Sequence, residues 1–253
     1  MKRLLVPLPR EGCDPSEVAI PWKLLSQEQV EFVFITPDGK KAKTDPRMLN
    51  GDNLGLLKPI LAARQDAVEA YTLLDQDTAF SNPLKYTEVQ ASDFDAIYLP
   101  GGHDKTVKEY LESKVLQQLI VDFFAINKTV AAICHGVVLV ARSIDPQTNK
   151  SVLYNYKTTC LLKSQELMAY NITRLWLKDY YLTYPEITVE DEVTAALKVK
   201  DNFIPGPLPL LRDTSDKLAR GFVVNDRNYL SARWPGDLYN FSGQLLNKLQ
   251  ISK

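Results

Sequence analysis

Residues 129–137, TVAAICHGV, join two apolar runs through a Cys-His-Gly turn, and this stretch constrains the fold more than any other. Short β-rich apolar runs that end near a glycine are typical of central strands buried on both faces of a sheet. The apolar residues after Gly136 predict the first turns of a buried helix. Cys134 therefore falls between strand and helix, with the small residues Ala132 and Gly136 two positions to either side. This spacing predicts a nucleophile elbow, a tight turn that presents a reactive side chain.

The chemistry of the turn agrees with its predicted geometry. A thiol at a helix N-terminus lies near unpaired N–H groups, which favour the thiolate. The adjacent His135 can add to this effect or carry protons. The alternative is an ordinary buried cysteine at a strand end, because free cysteine is among the most buried residue types. The neighbouring histidine and glycine favour a functional thiol.

Composition excludes several classes of protein. The chain has 253 residues and a net charge of -1, with 45% hydrophobic and 24% charged residues. The length suits one large α/β domain or two small ones, and we expect a single domain over residues 1–253. The composition is that of an ordinary globular protein and gives no reason to expect nucleic acid or a membrane surface as partner. No run approaches the ~18 apolar residues of a membrane span. Pro7 and Pro9 interrupt the first apolar run too early for a signal peptide.

Cysteine and histidine usage limits the available chemistry. The three cysteines are sparse and odd in number, which argues against a disulfide framework and for the reducing cytoplasm. The two histidines, His103 and His135, both lie in glycine-containing segments. Any imidazole chemistry must use one of them. With so few histidines and no C-x-x-C pair, we expect no metal site.

The first half of the chain contains a helix start and a long excursion. Asp14 as N-cap, Pro15 at the first helical position and Glu17 as a capping-box partner predict a helix. Residues 40–55 are polar and rich in turn residues, and residues 56–76 carry apolar side chains at helical spacing. We therefore expect residues 40–90 to form a helical cap inserted into the core domain. A surface excursion without a function is the alternative.

A second strand with a glycine-rich end precedes the cysteine turn. Residues 95–103 form a short apolar run that ends in Pro-Gly-Gly-His, and residues 105–127 predict one long amphipathic helix. Strand, helix and the cysteine strand make a crossover unit, which is typical of parallel sheets. Because sites in such sheets lie at the carboxyl ends of the strands, Gly101, Gly102 and His103 should meet Cys134 and His135. The consecutive glycines can present N–H groups to an oxyanion, although a Gly-Gly pair is more often only a turn.

With these residues in place, the chain resembles the ThiJ/PfpI superfamily, which includes PfpI-type proteases and chaperone-glyoxalases. The resemblance covers most of the chain and rests on three segments: DPSE at 14–17, LPGGHD at 99–104 and AAICHG at 131–136. It implies a flavodoxin-like three-layer sandwich with a mostly parallel sheet.

The resemblance also implies roles for particular residues. Cys134 would be the nucleophile, Glu17 the acid beside its sulfur, and His135 the base or proton carrier. The Gly101–His103 loop would contact the substrate, with the N–H groups of Gly102 and His135 stabilising an oxyanion. Related glyoxalases often add an acid that orients the histidine. Here that position falls at Lys163 or Ser164, with Glu166 nearby, so the sequence departs from a full triad.

The function that the resemblance implies is a cofactor-independent, cysteine-dependent hydrolase or lyase of small reactive aldehydes such as methylglyoxal, working as a homodimer. Hydrolysis of an amide or peptide, or hydration of an isonitrile, remains open within the same chemistry. A redox-sensing or chaperone-like stress protein is an alternative, since a reactive thiolate also oxidises readily. A binding module that has lost its activity is a third.

Overall fold

A computed structural model describes residues 1–251, with side chains through residue 250. Its main sheet has seven strands in the order β10-β11-β7-β6-β1-β3-β5, all parallel except β10. The pairs β2–β4 and β8–β9 form two small separate sheets. The strands are β1 (Lys2–Pro7), β2 (Glu11–Cys13), β3 (Val30–Thr36), β4 (Lys43–Thr44), β5 (Leu84–Lys85), β6 (Ala96–Leu99), β7 (Thr129–Ile133), β8 (Ile144–Asp145), β9 (Lys150–Ser151), β10 (Val223–Asp226) and β11 (Tyr229–Ala232).

Helices cover the sheet and complete a three-layer α/β sandwich. They are α1 (Pro15–Gln27), α2 (Pro46–Asn50), α3 (Lys58–Leu61), α4 (Gln65–Leu74), α5 (Thr78–Ser81), α6 (Lys108–Leu111), α7 (Lys114–Ala125), α8 (Gly136–Ala141), α9 (Lys163–Leu177), α10 (Val189–Ala195) and α11 (Leu238–Ile251). Helix α1 packs against α4 and α11, while α8 packs against α6, α7 and α10. The predicted flavodoxin-like fold with a mostly parallel sheet is confirmed.

The centre of the sheet has the apolar strands that the sequence predicts. Every residue of β6 and β7 is buried, as in parallel strands with helices on both faces. Both strands end at the same edge of the sheet. The chain continues from β6 into Gly101 and Gly102, and from β7 into Cys134.

The segment 40–90 divides into two parts in the structure. Helices α2 and α3 lie beside α9 and line a cavity. Helix α4 packs on α1, and β5 extends the main sheet next to β3. The single apolar-periodic stretch at 56–76 is broken, because residues 62–64 leave the helical conformation between α3 and α4.

The expectation of one long helix over residues 105–127 is wrong. The segment contains a 3-10 turn at 105–107, then α6, then α7, with Glu112 and Ser113 between the two helices. Ser113 has an extended backbone and its hydroxyl accepts a hydrogen bond from the Leu116 N–H at 3.3 Å, so it caps α7. Apolar periodicity continues across this cap, which is why the sequence pattern did not reveal the break.

Asp237 forms a buried ion pair just before helix α11. Its carboxylate forms a bidentate pair with the Arg233 guanidinium, at 2.9 Å for both contacts, and accepts the Phe222 N–H at 2.8 Å. Arg233 is 1% exposed and Asp237 is fully buried, so each charge depends on the other for solvation. Within residues 1–251, no helix is both long and apolar enough to cross a membrane.

Candidate active site

The predicted elbow is present at the carboxyl end of β7. Cys134 has φ 56°, in the left-handed region that non-glycine residues rarely adopt. Helix α8 follows at once, and a Cβ on Gly136 would lie 2.1 Å from the Leu99 carbonyl oxygen. Only glycine allows this close approach between the turn and β6. The strained backbone at Cys134 is therefore held from both sides, by β7 before it and by the tight contact behind it.

The side chains of Cys134 and His135 lie close together. Cys134 Sγ lies 3.4 Å from His135 Nδ1, and both residues are buried. The other ring nitrogen, Nε2, lies 3.0 Å from the Thr183 hydroxyl. Thr183 Oγ1 also donates to the His103 carbonyl oxygen at 2.8 Å.

These contacts determine the tautomer of His135. A hydroxyl has one proton to donate, and the His103 carbonyl can only accept it. The Thr183 oxygen must therefore accept from His135, which places the ring proton on Nε2. Nδ1 is then unprotonated and faces the thiol as an acceptor. The arrangement is that of a general base aimed at a nucleophile, with a hydroxyl as its orienting group.

Glu17 reaches the site from the first turn of α1. Its Oε2 accepts the Gly101 N–H at 2.7 Å instead of closing a capping box with Asp14. Asp14 caps the helix alone, accepting from the N–H groups of Ser16 and Glu17. The second oxygen, Oε1, is buried without a hydrogen-bond partner among the described residues. Tyr98 donates its hydroxyl proton to the Glu17 carbonyl at 2.5 Å, which fixes this turn of α1 against β6.

Burial shifts the pKa of each ionisable group at the site. It raises the pKa of the Cys134 thiol well above its ordinary value, and the Glu17 carboxyl adds to this, while the His135 amide N–H opposes it. Burial likewise raises the pKa of Glu17 and lowers the pKa of His135. Desolvation therefore opposes the effect that the α8 N-terminus was expected to have on the thiol.

The glycine loop after β6 lies against this pair. The Gly101 N–H is already bonded to Glu17, which leaves the N–H groups of Gly102 and His135 as candidate oxyanion donors. A Cβ on Gly101 would lie 2.7 Å from the His135 nitrogen, so the loop touches the elbow directly. His103 is the next residue, and its ring lies 5.0 Å from the His135 ring. All six residues expected at the site, Glu17, Gly101, Gly102, His103, Cys134 and His135, therefore meet at one edge of the sheet.

The group that orients His135 is the main feature the sequence did not indicate. The expected position near Lys163 and Ser164 does not supply it, and Glu166 accepts the Val189 N–H at 2.9 Å at the start of α10. Instead, Thr183 contacts His135 Nε2, and it lies in the loop between α9 and α10. No local pattern marks this threonine, since its contact with His135 joins residues 48 positions apart.

A cavity of about 540 Å³ opens beside the site, between α2, α3, α9 and the loop at 208–212. Its lining includes Asp14, His103 and Trp234, so it reaches the glycine loop. Cys134 is only 2% exposed and is not among the residues that line the cavity. In the part of the chain that the structure describes, no three His, Cys, Asp or Glu side chains are grouped to hold a metal ion.

Comparison with known proteins identifies the family and the fold of the chain. The model of a family described as ThiJ/PfpI family-like matches residues 8–207. A glutathione-independent glyoxalase of Schizosaccharomyces pombe is 24% identical over 158 residues, covering 61% of this chain and 62% of that protein. The match thus spans less than two thirds of the relative's length.

Two solved structures share the fold over nearly their full length. The 24 kDa rapid encystment protein of Francisella tularensis superposes with a TM-score of 0.73 at 17% identity, covering 98% of this chain and 99% of that one. Glyoxalase III of Candida albicans superposes with a TM-score of 0.70 at 17% identity, covering 98% and 97%. At these identities the likeness concerns the fold.

Proposed function

The chain belongs to the ThiJ/PfpI family, and on that premise we propose that it is a cofactor-independent glyoxalase, converting α-oxoaldehydes such as methylglyoxal into 2-hydroxy acids. The observation that carries the proposal is the Cys134–His135–Thr183 relay, in which an unprotonated Nδ1 lies 3.4 Å from the thiol. The glyoxalase names of a sequence relative and of a solved structure support the same chemistry.

The first step forms a bond between sulfur and the aldehyde carbon. His135 Nδ1 takes the thiol proton as Sγ attacks, and the carbonyl electron pair moves to oxygen. The N–H groups of Gly102 and His135 are the donors for this developing charge. The imidazolium keeps both of its N–H groups paired, one with Thr183 and one with the substrate, until it protonates the oxygen. The product is a hemithioacetal on Cys134.

The second step moves hydrogen within the substrate, so no external oxidant is needed. A base removes the proton from the carbon bonded to sulfur, giving an enediol, and the neighbouring carbon is then protonated. Glu17 is the candidate for this transfer because its carboxyl lies at the site, bonded to the Gly101 N–H, and burial raises its pKa. The result is a thioester of the 2-hydroxy acid. Water cleaves it, which returns the thiol and releases the acid.

The redox-sensor alternative rests on the same thiol, and the burial of Cys134 limits access of peroxide and of an aldehyde alike. The base and the oxyanion donors suit an acyl or carbonyl substrate equally well. Amide hydrolysis by the same residues is therefore the competing outcome.

The test is production of lactate from methylglyoxal without glutathione. We expect turnover by the unmodified protein, loss of at least 100-fold in Cys134→Ala, and normal turnover in Cys160→Ala. Cys160 is a matched control, because it is also free and buried. Equal turnover by the Cys134 variant would contradict the proposal. Absence of turnover in the unmodified protein, with cleavage of a small amide, would favour the amidase.

A further inference from the structure

The cavity beside His103 has an apolar mouth. Five of its lining side chains are large, apolar and more than half exposed: Ile60, Met168, Leu208, Leu210 and Leu211. They come from α3, α9 and the 208–212 loop, three segments far apart in the chain. Single exposed apolar residues are ordinary, but a group that converges on one opening is typical of a ligand site.

The lining of the same cavity also carries polar atoms without partners. Four buried side-chain atoms have no hydrogen bond within residues 1–251 and belong to lining residues: His103 Nδ1, Gln165 Oε1, Tyr181 hydroxyl and Trp234 Nε1. Tyr181 is 97% buried, being 3% exposed. Buried polar atoms are nearly always bonded, so a set that gathers in one cavity indicates a missing partner.

The four atoms differ in whether they can donate or accept a hydrogen bond. Trp234 Nε1 can only donate and Gln165 Oε1 can only accept, whereas the Tyr181 hydroxyl can do both. His103 is neutral, because burial lowers its pKa to about 4, and its ring also bonds the Tyr181 backbone. An α-oxoaldehyde and its hydrate together offer carbonyl acceptors and hydroxyl donors, which matches this mixed set. A purely apolar ligand would leave all four unpaired.

The size of the cavity distinguishes between short and long α-oxoaldehydes as substrates. Pockets of roughly 300–1,000 Å³ take ligands of drug size, and this one has about 540 Å³. A three-carbon α-oxoaldehyde would leave most of that volume, and the whole apolar mouth, unfilled. The structure therefore has room for a longer carbon skeleton that extends from the glycine loop to the leucines at the mouth.

We infer that the preferred substrates are α-oxoaldehydes with an apolar tail of about six carbons or more, the tail lying against Ile60, Met168, Leu208 and Leu211. This rests on the proposed glyoxalase activity and adds its substrate class. The chemical steps are unchanged, because the tail takes no part in them. The tail contributes binding energy that orients the carbonyl head.

The kinetic test compares methylglyoxal with 2-oxooctanal. Burial of each methylene should raise kcat/KM by roughly threefold to fourfold while the tail stays within the cavity, so we expect a gain of more than tenfold for the longer substrate. Equal or lower kcat/KM for 2-oxooctanal, with methylglyoxal still converted, would overturn the inference and leave the glyoxalase proposal standing.

Two leucine variants test whether the mouth of the cavity causes the preference for 2-oxooctanal. Leu211→Asp should lower the ratio of kcat/KM for 2-oxooctanal over methylglyoxal by about tenfold. Leu175→Asp is the control, because Leu175 is 92% exposed on α9 and does not line the cavity. An unchanged ratio in Leu211→Asp would also overturn the inference.

A binding measurement separates this inference from the catalytic proposal. In calorimetry with Cys134→Ala, the Kd of octanamide should be at least about tenfold lower than that of acetamide. Adding Leu211→Asp should remove this difference in Kd. That result without any aldehyde turnover would support the tail site while the glyoxalase proposal fails. No preference for octanamide would count against the tail site whatever the enzyme's activity.

Discussion

Thr183 joins the two histidines of the site: its hydroxyl donates to the His103 carbonyl at 2.8 Å and accepts from Nε2 of His135 at 3.0 Å. A carboxylate in this position would stabilise the imidazolium by charge. The neutral hydroxyl instead fixes the tautomer and the ring orientation. It also adds no further buried carboxyl to a site in which burial already raises the pKa of Cys134.

Replacing Thr183 by valine removes the hydroxyl and keeps the shape of the side chain. We expect kcat for methylglyoxal to fall by about 10- to 100-fold, the range for outer partners of a functional histidine, with little change in KM. Thr183→Ser keeps the hydroxyl and should retain most of the activity. A valine variant with normal kcat, or a serine variant as slow as valine, would show that Thr183 does not position His135.

The pH dependence of Cys134 alkylation reports the electrostatics of the site. Because burial and Glu17 raise the thiol pKa, labelling by iodoacetamide should still increase above pH 9. Glu17→Gln removes the carboxyl that contributes to the raised thiol pKa, so the midpoint should move to lower pH. Mass spectrometry of the Cys134 peptide separates this signal from the buried Cys13 and Cys160. A midpoint that stays in place or rises in Glu17→Gln would contradict this account.

The elbow requires glycine at position 136. In Gly136→Ala the new methyl would overlap the Leu99 carbonyl oxygen, 2.1 Å away, and we expect a loss of about 2–3 kcal/mol in unfolding free energy. Gly243 in α11 is the matched control. A Cβ there meets no atom within 4 Å, and alanine favours the helix, so Gly243→Ala should gain about 0.5–1 kcal/mol. Urea unfolding of both variants measures the contrast, and equal effects would contradict it.

Glu166 makes the stability depend on pH. Burial raises its pKa from 4.5 to about 7 in the folded protein. Its contribution is fully present below pH 4.5 and is lost as the pH rises to about 7, because the buried carboxylate must then ionise. Glu166→Gln keeps an acceptor for the Val189 N–H and carries no charge.

Unfolding free energies of Glu166→Gln and the unmodified protein should therefore diverge with pH. We expect the variant to gain roughly 2–3 kcal/mol relative to the unmodified protein between pH 4.5 and 8. Glu186→Gln, at an exposed position, should show no such divergence. A constant difference between Glu166→Gln and the unmodified protein would mean that Glu166 ionises normally in the fold.

Features set by neighbouring residues were predictable from the sequence. The strand–turn–helix at Cys134, the cap of α1 by Asp14 and the glycine loop after β6 each depend on interactions across a few positions. Parallel topology then brings the carboxyl ends of β6 and β7 together, which places His103 beside His135. Where the local signal was weak, the prediction was wrong: the cap at Ser113 breaks a helix whose apolar spacing continues through it.

Tertiary structure alone decided the partners and the charges of the site. The Glu17–Gly101 bond joins residues 84 positions apart and redirects a carboxyl that the sequence assigned to a capping box. Thr183 reaches His135 from a loop with no motif. The sequence favoured a thiolate at a helix N-terminus, but the pKa of a group depends on how completely water is excluded around it. That exclusion is a property of the packed layers, so the sequence determined the elbow and the glycine loop, and packing determined their partners and the direction of their pKa shifts.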